Sequence, residues 1–261
     1  MELKTANELK FPWQPHSFIT GNLAIGNLGH KLRARLTVQG RIHAETLLVG
    51  IGAIAGFASQ NAALIRGAEA TRQAGAVPPN SVVLATTREG SRILLGDWIN
   101  GYIAPQKESQ FSLHNFAGAA AISAGVKAQD LPDFREMFQH VVKAAGTSAF
   151  GKVRAPACHD PQFQPVNFLK LGGWGLMVGI MALKPPVGVT EPPLEEAHWP
   201  IIASIVAGRL INQAKDVLAP GIAYAMVMEA AIIASKAFPD TIETGKWALD
   251  ARAGKLAVHR L

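Results

Sequence analysis

The clearest amphipathic period lies between residues 131 and 145. Leu131, Phe134, Phe138, Val141, Val142 and Ala145 fall on one helical face, and Asp133, Arg135, Glu136, Gln139, His140 and Lys143 on the other. Asp130 is the expected N-cap, Gly146 the expected stop, and His140, on the polar face, is expected to be solvated. From Arg41 to Gly75 the chain has no proline and is rich in Ala and Leu, which predicts a long helix despite Gly50, Gly52, Gly56 and Gly67. Each internal glycine costs about 1 kcal/mol relative to alanine, so close packing against another helix is the expected offset, with a bend near Gly67 as the alternative. Residues 13 to 30 mix Gly21, Gly26 and Gly29 with Asn22 and Asn27 and read as irregular.

Further helices are expected over 112 to 125, with Ser112 as cap, and from Pro165 to Lys184. The second is apolar nearly all round, which places it at the centre. Pro200 starts or kinks a helix carrying Ile201, Ile202, Ile205, Val206, Leu210 and Ile211, and Pro220 opens another that Pro239 follows. Asp240 with Glu243 resembles a capping box for a last short helix ending near Gly254. The longest loop is 147 to 165, and a proline-rich linker covers 185 to 193.

One stretch changes period. Val82-Val83-Leu84-Ala85-Thr86-Thr87 is β-branched, Arg88-Glu89-Gly90-Ser91 suits a turn, and Arg92-Ile93-Leu94-Leu95 follows as a second strand. Asp97 then stands as an expected N-cap before a short helix closed by Pro105. With no internal repeat, these elements predict a mainly α, single multi-helix globular domain over 1–261 with one small β-hairpin at about residues 82–95.

Composition bears on partners and location. The 261 residues are 49% hydrophobic and only 17% charged, which predicts extensive buried surface or a homo-oligomer interface. A net charge of +6 is spread along the chain, with mild clusters at Lys31, Arg33, Arg35 and Arg41 and at Lys246, Arg252, Lys255 and Arg260, so no nucleic-acid partner is expected. The single cysteine excludes an intramolecular disulfide, and the first residues show no apolar core of signal-peptide length, so a soluble cytoplasmic protein is expected. Mean hydropathy is +0.17. Leu47–Ala58 and Leu171–Leu183 fall short of the roughly 18 to 20 apolar residues a bilayer requires, and Val217–Ser235 carries Pro220 and Glu229, so no membrane insertion is expected.

The candidate chemistry is sparse. His43-Ala44-Glu45 matches the H-x-E half of the zinc nucleobase deaminase signature, but its P-C-x-x-C partner is absent and Pro156-Ala157-Cys158-His159 supplies one thiolate. A helix-start histidine and an exposed or ion-paired glutamate explain the pair more simply. His43, Cys158, His159 and His198 are the candidates for metal ligands, yet none has an established spacing, and Glu195 with His198 forms one E-x-x-H half-motif without a second. No metal or other cofactor is expected. G-x-S-x-G, G-x-G-x-x-G and the P-loop are absent, and Gly172-Gly173-Trp174-Gly175 reads as a helix-packing element.

Glu229 is the residue that stands out, a lone carboxylate in Tyr224-Ala225-Met226-Val227-Met228-Glu229-Ala230-Ala231-Ile232-Ile233. A buried carboxylate must be paired or neutralised, so a structural partner such as Arg209 or a functional site is expected there. Glu229, His43 and Glu45 are therefore the catalytic candidates. The function expected is a helical oligomerising or small-molecule-binding protein with an unidentified ligand. The alternative is a carboxylate and histidine enzyme, such as a metal-dependent hydrolase.

Overall fold

The proline-free run becomes the central helix, α2 (Ala44–Ala74), with His43 as its N-cap and Gly75 in the left-handed conformation closing it. The structure is a computed structural model that describes residues 10–14, 16–87, 89–104, 110–242 and 257–260. The other helices are α1 (Phe18–Leu36), α3 (Asp97–Asn100), α4 (Leu113–Ser123), α5 (Phe134–Ala144), α6 (Pro165–Phe168), α7 (Trp174–Met181), α8 (Trp199–Ala214) and α9 (Pro220–Lys236). The chain is 61% helical and forms a mainly α single domain, as its pattern predicts. No bend interrupts α2 at Gly67.

The glycines of α2 are explained by its contact with α9. A Cβ on Gly52 would overlap the Val227 carbonyl oxygen and lie 2.9 Å from Ala230 Cβ. One on Gly56 would overlap the Ala231 carbonyl. Glycines four apart on α2 thus meet carbonyls four apart on α9, and the backbones approach more closely than alanine permits. α8 packs against α2, α4 and α1, and α4 also packs against α9, so the core is helix on helix around α2 and α9.

The hairpin forms where the β-branched run predicts it. β3 (Val83–Thr86) pairs antiparallel with β4 (Arg92–Leu95), with Val83 opposite Leu95 and Thr86 opposite Arg92. A smaller antiparallel pair, β1 (Thr37–Val38) and β2 (Arg41–Ile42), joins α1 to α2. Residues 257–260 form β5, which runs parallel to β3.

Four expectations are corrected. Residues 18 to 30, expected to be irregular, belong to α1: Gly21 packs under the Trp13 indole, Gly29 faces Val206, and the Glu191 carboxylate accepts from the Ile19 and Thr20 amides at 3.0 and 2.8 Å. The helix expected from Pro165 to Lys184 breaks at Leu171 and Gly172, where Gly172 takes φ +93° and Arg35 donates to the freed Leu171 carbonyl. Beyond that break α7 is not buried all round: Trp174, Met177, Ile180 and Met181 face the core, whereas Gly175 and Gly179 are exposed. Asp97 is the first residue of α3 rather than its cap, a place taken by Gly96, and Asp133 rather than Asp130 caps α5 by accepting from the Arg135 amide. Pro200 marks the true start of α8, and Ser112 caps α4 as expected. Pro105, Arg88 and Glu243 with the helix expected to end near Gly254 lie outside the described residues.

Candidate functional site

One face of α9 carries the charges that the apolar core would otherwise exclude. Glu229 and Lys236 stand seven residues apart, two helical turns, and both are buried, at 1% and 2% exposure. α5 lies across this face, and cavities of about 350 and 320 Å³ open on the Glu229 and Lys236 sides respectively.

Glu229 is fully partnered. Its carboxylate accepts from the Arg154 backbone N–H at 2.7 Å and from Arg154 Nε at 2.5 Å. The expected partner, Arg209, is instead exposed on α8, and Arg154 comes from the long loop between α5 and α6. His140 also turns inward: its Nδ1 is buried and lies 3.6 Å from Glu229 Oε1, so the expectation of a solvated histidine is overturned. The cavity here has Asp133, Glu136, Arg154 and Glu229 among its walls, with Met137, Ala225, Pro132 and Pro156.

Lys236 has no such partner. Nζ donates to Asn100 Oδ1 at 3.0 Å and sits 5.0 Å from the Phe138 ring centre. Among the described residues no carboxylate forms an ion pair with it. Burial favours the neutral amine and pushes its pKa down from 10.5 to about 8. The position is set from three sides. Gln60 Nε2, on α2, donates to the Ser235 and Ala237 carbonyls at 2.8 and 2.7 Å, taking up groups that the end of α9 leaves free. Ala237 bridges to Ile93 on β4. The hairpin and α5 then close the cavity: Ile93, Leu95, Val141, Val142, Ala145 and Phe150 supply apolar walls, and Thr87 and Glu89 the polar groups beside Lys236.

The histidine candidates divide. His43 caps α2 through Nδ1, which accepts from the Thr46 backbone N–H at 3.4 Å and lies 2.9 Å from Thr46 Oγ1. His159 Nδ1 approaches Glu45 Oε1 at 2.8 Å, and His43 Nδ1 lies 3.4 Å from Glu45 Oε2, so His43, Glu45 and His159 do converge. Desolvation works against ionisation of Glu45, but the His159 hydrogen bond, its own amide and the nearby imidazoles outweigh it and hold the carboxyl below its ordinary value. Cys158 is exposed beside this group. His198 is elsewhere. Its 3-10 turn contacts α2 through Glu196 and Asn61, eighteen residues along the helix from His43, a separation of roughly 27 Å. Among the described residues His198 Nδ1 is buried without a hydrogen-bond partner, and burial lowers its pKa. Among the described residues no group of three or more His, Cys, Asp or Glu side chains is arranged to hold a metal ion.

Lys236 and Asn100 were missed in the sequence. The only signal was a lysine directly after the apolar run Ala230–Ser235, and a cation in the last turn of a helix is ordinary there because it faces the negative end of the dipole. No protein-family model matches the chain, and no curated protein or solved structure is significantly similar to it, so the reading of these sites rests on their geometry.

Proposed function

We propose that this protein binds a small apolar carboxylate in the cavity at the end of α9. The supporting observation is a buried ammonium whose partners among the described residues are all neutral, on the wall of an apolar cavity of about 320 Å³. That volume is at the lower end of ligand pockets, which hold mostly apolar walls and a few placed polar groups. A carboxylate head would give Lys236 the counter-charge it lacks, and a short hydrocarbon tail would lie against Ile93, Leu95, Val141 and Phe150. Glu89 is exposed, so water and salt weaken its repulsion of an anion. Calorimetric titration with hexanoate tests the reading. Binding of one hexanoate per chain, weakened about tenfold or more in Lys236→Met, is expected; no binding, or equal binding by both proteins, would overturn it.

A compatible second reading is self-association, favoured by exposed Phe18, Ile19 and Leu23 on α1 and Leu171 and Leu183 around α7, helices that pack together. Light scattering should then give at least twice the 27.7 kDa of one chain. The alternative enzyme reading draws on the Glu45 and His159 pair alone, an imidazole oriented by a carboxylate.

Among the described residues one helix, α2, is long and apolar enough to cross a membrane by length and composition, but 89% of its most apolar window is buried inside the protein. That burial supports a core helix over a membrane-spanning one.

A further inference from the structure

The amine that would pair with a carboxylate is also placed for covalent chemistry. A lysine becomes a nucleophile when it sits desolvated, without a counter-ion, against a space that admits a carbonyl compound. Among the described residues Lys236 meets each condition: it is buried, its Nζ partner is the neutral Asn100 amide, and it forms part of the wall of an apolar cavity. The charged groups of the elements around it leave this unchanged. Glu229, two turns back on α9, is taken up by Arg154; Arg92 on β4 stacks on Phe238 and pairs with Asp240; His140 on α5 turns to Glu229; Glu89 is exposed.

We infer that Lys236 condenses reversibly with small apolar aldehydes or ketones to form an imine. The Nζ lone pair attacks the carbonyl carbon, the two hydrogens lost from Nζ leave with the carbonyl oxygen as water, and a C=N bond remains. Nothing is oxidised or reduced. The Thr87 hydroxyl and the Glu89 carboxylate stand in the cavity wall and can relay those protons. The inference rests on the reading of this cavity as a ligand site. It extends the substrate class from carboxylates to carbonyl compounds.

At pH 7.5 an exposed lysine is about 0.1% neutral amine, and burial raises that share for Lys236 on the order of a hundredfold. The test is to incubate the full chain at this pH with hexanal and cyanoborohydride, which reduces an imine to a stable secondary amine, and to locate the added hexyl groups by peptide mass spectrometry. Labelling of Lys236 well ahead of every exposed lysine is expected. Labelling of Lys236 no faster than the exposed lysines overturns the inference. Asn100→Asp places a carboxylate on the amine and holds it charged, so it should slow labelling at Lys236 by about tenfold or more while the exposed lysines keep their rates. An unchanged rate at Lys236 would also overturn the inference. Hexanoate, titrated separately by calorimetry and added as a competitor, separates the two readings. Binding without labelling removes the imine and keeps the carboxylate site. Labelling that hexanoate neither binds against nor slows keeps the imine and removes the carboxylate site.

Discussion

Glu229 and Lys236 occupy the same face of one helix, at nearly equal burial and with opposite charge, yet the protein treats them differently. The carboxylate receives a guanidinium and a backbone N–H, whereas the ammonium receives an amide oxygen and the face of a ring. A buried charge with an opposite partner is explained by the fold that holds the partner, and its removal should harm that fold. A buried charge with neutral partners is held at a cost, and it points to something the folded chain lacks.

The largest expected effect is on the paired side and is asymmetric. Arg154→Ala leaves Glu229 buried with one N–H donor and should cost about 3 kcal/mol in urea unfolding. Glu229→Gln leaves an arginine whose side chain is 49% exposed and can return to water, so about 1 to 2 kcal/mol is expected. Equal losses would show that the carboxylate is less buried in effect than its geometry implies.

On the unpaired side the sign reverses. A pKa that falls from 10.5 to about 8 corresponds to a cost on the order of 3 kcal/mol for holding the charged amine at neutral pH. Lys236→Met removes that cost and forfeits about 1 kcal/mol at the Asn100 hydrogen bond, so a net gain of about 2 kcal/mol at pH 7 is expected from denaturant melts. A loss of stability would mean that Lys236 is paired after all.

The pH dependence sharpens the same contrast. The unfolded chain holds the lysine proton up to about 10.5, whereas the folded protein releases it near 8. Stability from this group is therefore complete above 10.5 and is lost as pH falls through 8, so the advantage of Lys236→Met should be largest below pH 8 and vanish toward pH 10.5. Parallel stability curves for the two proteins would contradict this.

The smallest effect is expected at the converged histidines. Glu45→Gln should cost less than about 1 kcal/mol near neutral pH, because the cluster is partly exposed. Glu45 titrates below its ordinary value, so its contribution should be lost as pH falls through the folded pKa, and acid melts of the two proteins should converge there.

This division tracks what the sequence made legible. Local pattern was enough for the hairpin, α2 and α9, whose period, turn glycine and opening proline lie within the elements themselves. α1 was not legible, because Gly21 packs against Trp13 and Gly29 against Val206, and its first amides are taken up by Glu191, more than 170 residues away. The broken helix at Gly172 had the same origin, since Arg35 takes the freed carbonyl from another element. Glu229 was visible because a carboxylate in an apolar run is anomalous, although its partner came from a loop. Lys236 stood where a cation is ordinary, and only the tertiary structure shows that no charge among the described residues answers it.

The most direct measurement is the titration of Lys236 itself, followed by NMR of its ¹³Cε with Lys236→Met as the assignment control. In the free protein the amine should titrate near 8, and saturating hexanoate should move it upward as the carboxylate supplies the missing counter-charge. A titration near the 10.5 of an ordinary lysine in the free protein, or one that hexanoate leaves unmoved, would contradict the account.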